Sequence, residues 1–285
     1  MRIALLLSVL LLVACGNTSQ EANPSTEEDD EDKYWQKIQE SGELVVATSG
    51  TLIAASYYDG DEETEDQLTG FEVETMREIA KRLNLDISFE IIGVDSVMPA
   101  IKSGRIDISS ATITDKRKDQ FDFSDPIKYS YITMAVRKED NSGIETLEDL
   151  NGKKAGGGAT TIYSQIAEQF GAEVVTYGNA PNEAYLRDVD NGRTDVVIND
   201  YYLTKFGVAA FPDFDIHLHP TLNFNLTESG VLMPKGAYTL QEKINEVIAE
   251  MHEDGTLTEL AIQFYEEDAS KLPEKEIIEI DGLDI

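Results

Sequence analysis

The chain has 285 residues, 41% of them hydrophobic, with 55 acidic side chains set against 23 basic ones. A formal net charge of −32 repels polyanions, which argues against nucleic acid and anionic lipid surfaces as electrostatic partners. A lone cysteine, Cys15, excludes an intrachain disulfide, and the length leaves room for two domains of ordinary size.

Met1 to Ala14 reads as a secretory signal: Arg2, an apolar run from Ile3 to Val13, then a small residue. That run is too short to span a bilayer as a helix. Its end, Leu12-Val13-Ala14-Cys15, resembles the lipobox of bacterial lipoproteins. The resemblance implies acylation of Cys15, palmitate included, and a protein anchored on the extracytoplasmic face of the cell membrane without a transmembrane helix. Residues 15–33 are polar and acidic and contain Pro24, so they are expected to form a disordered tether. The acidic run Glu27 to Asp32 lacks the glycine and spaced ligands of a calcium loop.

Tyr34 to Glu40 predicts a short helix leading into a first strand, Leu44 to Ala47. A loop follows from Thr48 to Thr69, carrying Tyr57, Tyr58 and an acidic turn. Phe71, Val73, Met76, Ile79, Ala80 and Leu83 recur at helical spacing, so Glu72 to Leu83 is an amphipathic helix. Ile87, Phe89 and Ile91 alternate as a strand, and Ser96 to Lys102 predicts a helix closed by Gly104. This β-α-β-α-β order predicts a largely parallel sheet with crossover helices. After an apolar strand from Tyr131 to Arg137 the pattern restarts. Gly156-Gly157-Gly158 permits close backbone approach, Thr160 and Thr161 open a helix, and Val196 to Ile198 runs into Asn199-Asp200. The last third holds a strand (Ser229 to Met233), a long helix (Leu240 to Met251) and a final helix near Phe264. Residues 271–285 read as an acidic C-terminal tail, flexible unless Ile277, Ile278 and Ile280 dock.

The richest stretch is Gly104 to Pro126, GRIDISSATITDKRKDQFDFSDP. An apolar strand runs out at Ser109, Ser110 and Thr112, and Arg117 follows five residues later. Hydroxyls and backbone N–H groups at a strand end, with one guanidinium beside them, form an anion cradle. Arginine suits a carboxylate because its planar fork makes two parallel hydrogen bonds. Gly70-Phe71-Glu72-Val73, Ser103-Gly104-Arg105-Ile106-Asp107, Thr112-Ile113-Thr114 through Arg117, and Phe123-Ser124-Asp125-Pro126 occur in that order. As a set they resemble the amino-acid-binding family of bacterial extracellular solute-binding proteins (family 3), the receptors of ABC importers, from about Leu44 to about Phe264. Asn191-Gly192-Arg193-Thr194-Asp195 echoes the first S-G-R-I-D segment, as two similar α/β lobes would.

The resemblance implies the type II periplasmic-binding-protein fold: two α/β lobes joined by a two-strand hinge, with the ligand in the cleft. Lobe 1 is then discontinuous, 34–132 and 227–270, and lobe 2 is 133–226. It also implies roles. Arg117, with backbone N–H groups at Thr112 and Thr161, takes the ligand carboxylate. The Ser110 carbonyl, the Thr112 hydroxyl and Asp200, expected at the cleft mouth, take the ammonium. Tyr57, Tyr163 and Tyr201 are candidates to line the cleft. Family members often place aromatics in the first loop and a Trp before the second helix; here those places read Leu52-Ile53-Ala54-Ala55 and Val94-Asp95. A cation–π clamp for Arg, Lys or His is therefore weak, and the I-N-D context looks somewhat like cystine-binding relatives.

The function so implied is a substrate-binding lipoprotein, a monomer, that captures a polar amino acid such as cystine and delivers it to a membrane permease. No cofactor is implied. The rival readings are a cyclohexadienyl dehydratase-like enzyme or a ligand-sensing subunit on the same fold. No Ser/His/Asp set favours an enzyme. Metal import is a poor fit: His217 and His219 read as an exposed pair on one strand face, and His252 lies far along the chain.

Overall fold

The computed structural model describes residues 33–60, 62–178, 180–275, 277–280 and 282–283. The signal, Cys15 and the acidic tether lie outside these, save Lys33. Helix α1 (Lys33–Ser41) leads into β1 (Glu43–Thr48). The segment expected to be a plain loop holds three short strands, β2 (Thr51–Leu52), β3 (Ser56–Tyr58) and β4 (Leu68–Thr69), paired antiparallel in one small sheet. Helix α2 (Phe71–Arg82) buries Phe71, Val73, Met76, Ile79 and Ala80, the stripe its spacing predicts. Gly70 precedes it at φ 125°, and an added Cβ would lie 2.4 Å from the Ala55 backbone. The close approach has a purpose: Ala54 and Ala55 carbonyls accept from the Phe71 and Glu72 N–H groups, which no helical carbonyl can reach.

Strand β5 (Asp86–Ile91), α3 (Val94–Lys102), β6 (Ile108–Thr112), α4 (Asp115–Lys118), β7 (Phe121–Phe123) and β8 (Lys128–Arg137) complete the first half. Strands β9 (Lys154–Gly156) and β10 (Glu173–Val175) flank α5 (Ile162–Gln169); α6 (Asn182–Asp190), β11 (Val197–Asp200), α7 (Tyr201–Ala210) and β12 (Ile216–Leu218) follow. Strand β13 (Phe224–Pro234) and helices α8 (Tyr238–Glu253) and α9 (Thr256–Tyr265) end the regular structure.

The main sheet has the order β11-β8-β13-β6-β1-β5, with β12 beside β8 and β7 beside β13. Strands β1, β5 and β6 pair in parallel, as β-α-β order requires, whereas β8 and β13 pair antiparallel with each other and with their neighbouring strands in the main sheet. The sheet is therefore mixed rather than largely parallel. Strands β8 and β13 are also longer than the sequence suggested, because their polar starts interrupt the apolar runs.

The apolar clusters divide on the same two strands. One gathers α1, α2, α8 and α9 around Phe71, Leu240, Met251 and Tyr265. Another gathers Ile132, Met134, Val136, Ile166, Val196 and Phe224. Each fully buried Leu, Ile or Phe contributes about 1.5–3 kcal/mol. Strand β8 passes from Lys128, at the first cluster's edge, to Val136 in the second, and β13 returns from Phe224 to Met233.

Beyond α9, Ile278 bridges Phe224 in parallel, its carbonyl accepting from Asn225 N at 2.8 Å. Ile280 packs against the second cluster and donates its N–H to Asn225 Oδ1. His219 is 1% exposed rather than a surface residue. Its Nε2 meets the Ile144 carbonyl at 2.9 Å and Nδ1 faces the Thr221 and Leu222 N–H groups, while His217 Nε2 meets Asn141 Oδ1. Both rings are thus engaged in holding loops, and among the described residues no cluster of His, Cys, Asp and Glu could hold a metal.

Candidate functional site

The ends of β6 and β11 and the start of α5 enclose a cavity of about 150 Å³. Ser110, Thr112, Arg117, Thr161, Tyr163 and Asp200 all line it. Tyr57 does not: it belongs to the β2–β3–β4 sheet, packs on the first core and borders a separate surface depression with Ile53 and Glu62. Tyr201 also turns away, stacking on Tyr131 at 4.5 Å and hydrogen-bonding Glu267.

Arg117 reaches the cavity through a tight local device. Thr114 caps the four-residue helix α4, its hydroxyl accepting from Arg117 N at 3.3 Å, and this folds Arg117 back over the end of β6. Its Nη1 donates to the Thr112 carbonyl at 2.8 Å, fixing the plane of the fork. Burial lowers its pKa, opposed by the nearby Tyr163 phenol; a guanidinium stays protonated regardless. Among the described residues no carboxylate is ion-paired with it. Opposite lies the N-terminus of α5, where Thr161 caps the helix by accepting from Ser164 N. Ile162 and Tyr163, also lining the cavity, carry first-turn N–H groups that have no partner within the helix. Burial pushes the Tyr163 phenol well above its usual range, so it is a neutral donor, in contact with the Thr112 hydroxyl.

Asp200 sits deeper than expected, 2% exposed on the cavity floor rather than at its mouth. As the N-cap of α7 its Oδ1 accepts from Tyr202 N and Leu203 N. Its Oδ2 lies 3.0 Å from Lys128 Nζ, in an ion pair whose side chains are 3% and 4% exposed. Lys128 and Glu72, both of which line the cavity, are absent from the sequence reading of the site. Burial raises the Glu72 pKa, Lys128 opposes that, Asp200 adds to it, and the neighbouring Ser110 side chain lowers it. The signals for both were faint. Lys128 is a lysine heading an otherwise apolar strand, and Glu72 is an acid in the first turn of a buried helix. Behind them, the Tyr265 ring lies 5.7 Å from Lys128 Nζ.

A second chamber of about 390 Å³ adjoins the first, sharing Ser49, Leu52, Val94, Thr161, Tyr163 and Leu203 as lining. Its remaining surface is largely aliphatic, with Tyr58, Tyr185, Asn182 and Asn199 as polar points. Glu63, exposed at its edge, is its one carboxylate among the described residues. The Leu52 and Val94 positions thus border the space where family members often carry aromatics.

A contact at Asp95 ties α3 to the loop before α5. Asp95, in the first turn of α3, accepts from Ala159 N at 3.2 Å, Thr160 N at 2.8 Å and the Thr160 hydroxyl at 2.7 Å. Gly158 makes the approach possible, since an added Cβ would meet Val94 Cγ2 at 2.9 Å.

The arrangement offers an anion the Arg117 guanidinium and a helix N-terminus, sets the Glu72 and Asp200 carboxyl groups beside Lys128, and opens onto a chamber whose one described carboxylate is the exposed Glu63. Residues 44–267 match the profile of bacterial extracellular solute-binding proteins, family 3. The chain is 46% identical over 275 residues to the probable ABC transporter extracellular-binding protein YckB of Bacillus subtilis (strain 168), covering 95% of this chain and 93% of that one. It is 35% identical over 244 residues to the L-cystine-binding protein TcyJ of Escherichia coli (strain K12), covering 82% and 87%. The crystal structure of Bacillus subtilis YckB superposes with a TM-score of 0.67 at 48% identity, over 87% of this chain and 99% of that one. The chain belongs to the bacterial extracellular solute-binding proteins, family 3.

Proposed function

We propose that this protein is the substrate-binding component of an ABC importer and that it closes on a polar amino acid, cystine or a ligand like it. Residues 34–132 with 227–270 form one lobe in this reading, residues 133–226 the other, and β8 and β13 the hinge. Arg117 takes the ligand carboxylate together with the N-terminus of α5. Asp200, Ser110 and the Thr112 hydroxyl take the ammonium, and the side chain enters the second chamber. The supporting observation is that Arg117 and Asp200, from opposite halves of the sequence, line one cavity of amino-acid size. Two relatives add weight: TcyJ and TcyA, 35% and 31% identical to this chain, are L-cystine-binding proteins. Acylated Cys15 would hold a monomer at the outer face of the membrane, where it presents the ligand to a permease.

A thermal-shift screen of the purified protein against the amino acids, cystine and small diamines tests the reading. Ligand stabilises the folded form by mass action, so at least one uncharged polar amino acid or cystine is expected to raise the melting temperature. A flat response across the panel would overturn the assignment.

A further inference from the structure

Lys128 supplies a positive charge that the proposed ligand does not need. Its Nζ lies 3.0 Å from Asp200 Oδ2 and, with Arg117, faces the cavity alongside Glu72 and Asp200. Two fixed cations therefore stand against two carboxylates inside one enclosed space. An amino acid with an uncharged side chain adds one charge of each sign and leaves that balance intact. A lysine or arginine adds a net positive charge, and the adjoining chamber has only the exposed Glu63 among described residues to receive it. A charge taken out of water without a partner is costly. Wherever in the closed cavity the ligand's cation lies, it meets a site that carries no net negative charge.

We infer that Lys128 is a specificity-determining residue, a resident cation that restricts the site to amino acids without a positively charged side chain. The inference rests on the amino-acid-receptor reading above. Glu72 has the complementary place: Lys128 holds it in check, and without Lys128 it would be an unpaired acid suited to a cationic ligand.

Dissociation constants of the wild type for the twenty amino acids, ornithine, citrulline and cystine, measured by calorimetry, give the first arm. Lysine, arginine and ornithine are expected to bind at least about tenfold more weakly than the best uncharged ligand, the effect of one charge a few ångströms away in a partly desolvated site. Any of the three binding within that margin would overturn the inference while leaving the receptor reading intact; no binding by any compound would overturn the receptor reading itself. In the second arm, Lys128→Met is expected to shift the arginine-to-uncharged affinity ratio by about tenfold or more toward arginine, and Lys128→Arg to leave it in place. An equal change for both ligand classes in Lys128→Met would contradict the inference. Should Lys128→Met not fold, Lys128→Gln removes the charge while keeping a polar group beside Asp200, and the same ratio decides.

Discussion

Burial holds the Glu72 carboxyl above the ordinary carboxylate range, with Lys128 drawing it down and Asp200 pushing it further up. A carboxyl whose pKa is raised by folding favours the protonated native state. Its favourable contribution is present below the unfolded pKa of about 4.3 and is lost as pH climbs through the raised folded value. Glu72→Gln cannot ionise, so its melting temperature is predicted to improve relative to wild type as pH rises through that window and then run parallel. Parallel curves across the whole range would show that Glu72 ionises as it would in water. Arg117 and Asp200 were legible in the sequence because strand-end hydroxyls, a nearby guanidinium and a family-like context marked them. Lys128 and Glu72 were not. Their importance comes from a meeting of residues 72, 128 and 200, which no local pattern encodes.

At the scale of elements, the longer helices were readable because their core-facing stripes recur every three or four residues, as in α2 and α8. The short strands β2, β3, β4 and β7 were not, since two or three residues carry no periodicity. Strands β8 and β13 were cut short because Lys128, Asn225 and Glu228 look like loop residues until their partners are known. The Asp95 contact belongs to this scale too, because it joins the first turn of α3 to the loop before α5. On the hinge proposal it stabilises the closed form, and the population of that form scales apparent affinity. Three hydrogen bonds, each worth about 0.5–1.5 kcal/mol net, argue that Asp95→Ala loses at least about tenfold in affinity through faster dissociation. The order of ligand preference should not change. Stopped-flow dissociation rates test this, and an unaltered rate would assign Asp95 to local loop structure alone.

Across the whole molecule, the excess of acid leaves the cavity a place apart: a surface dominated by carboxylates surrounds a site where Arg117 and Lys128 face the Glu72 and Asp200 carboxyl groups. The mixed sheet supplies that site with walls from both halves of the chain, and β8 and β13 connect those halves directly. The final segment follows the same architecture, adding Ile278 and Ile280 beside Phe224 and Asn225. Docking of this kind depends on a partner strand 55 residues away, at Asn225, which explains why the tail's composition alone read as flexible. The central claim is that Arg117 binds a ligand carboxylate inside this cavity, and calorimetric titration of wild type and Arg117→Ala with the ligand that most stabilises the wild type tests it most directly. The predicted result is a loss of about 3–5 kcal/mol in the variant with its melting temperature little changed; near-normal affinity in a folded Arg117→Ala protein would contradict it.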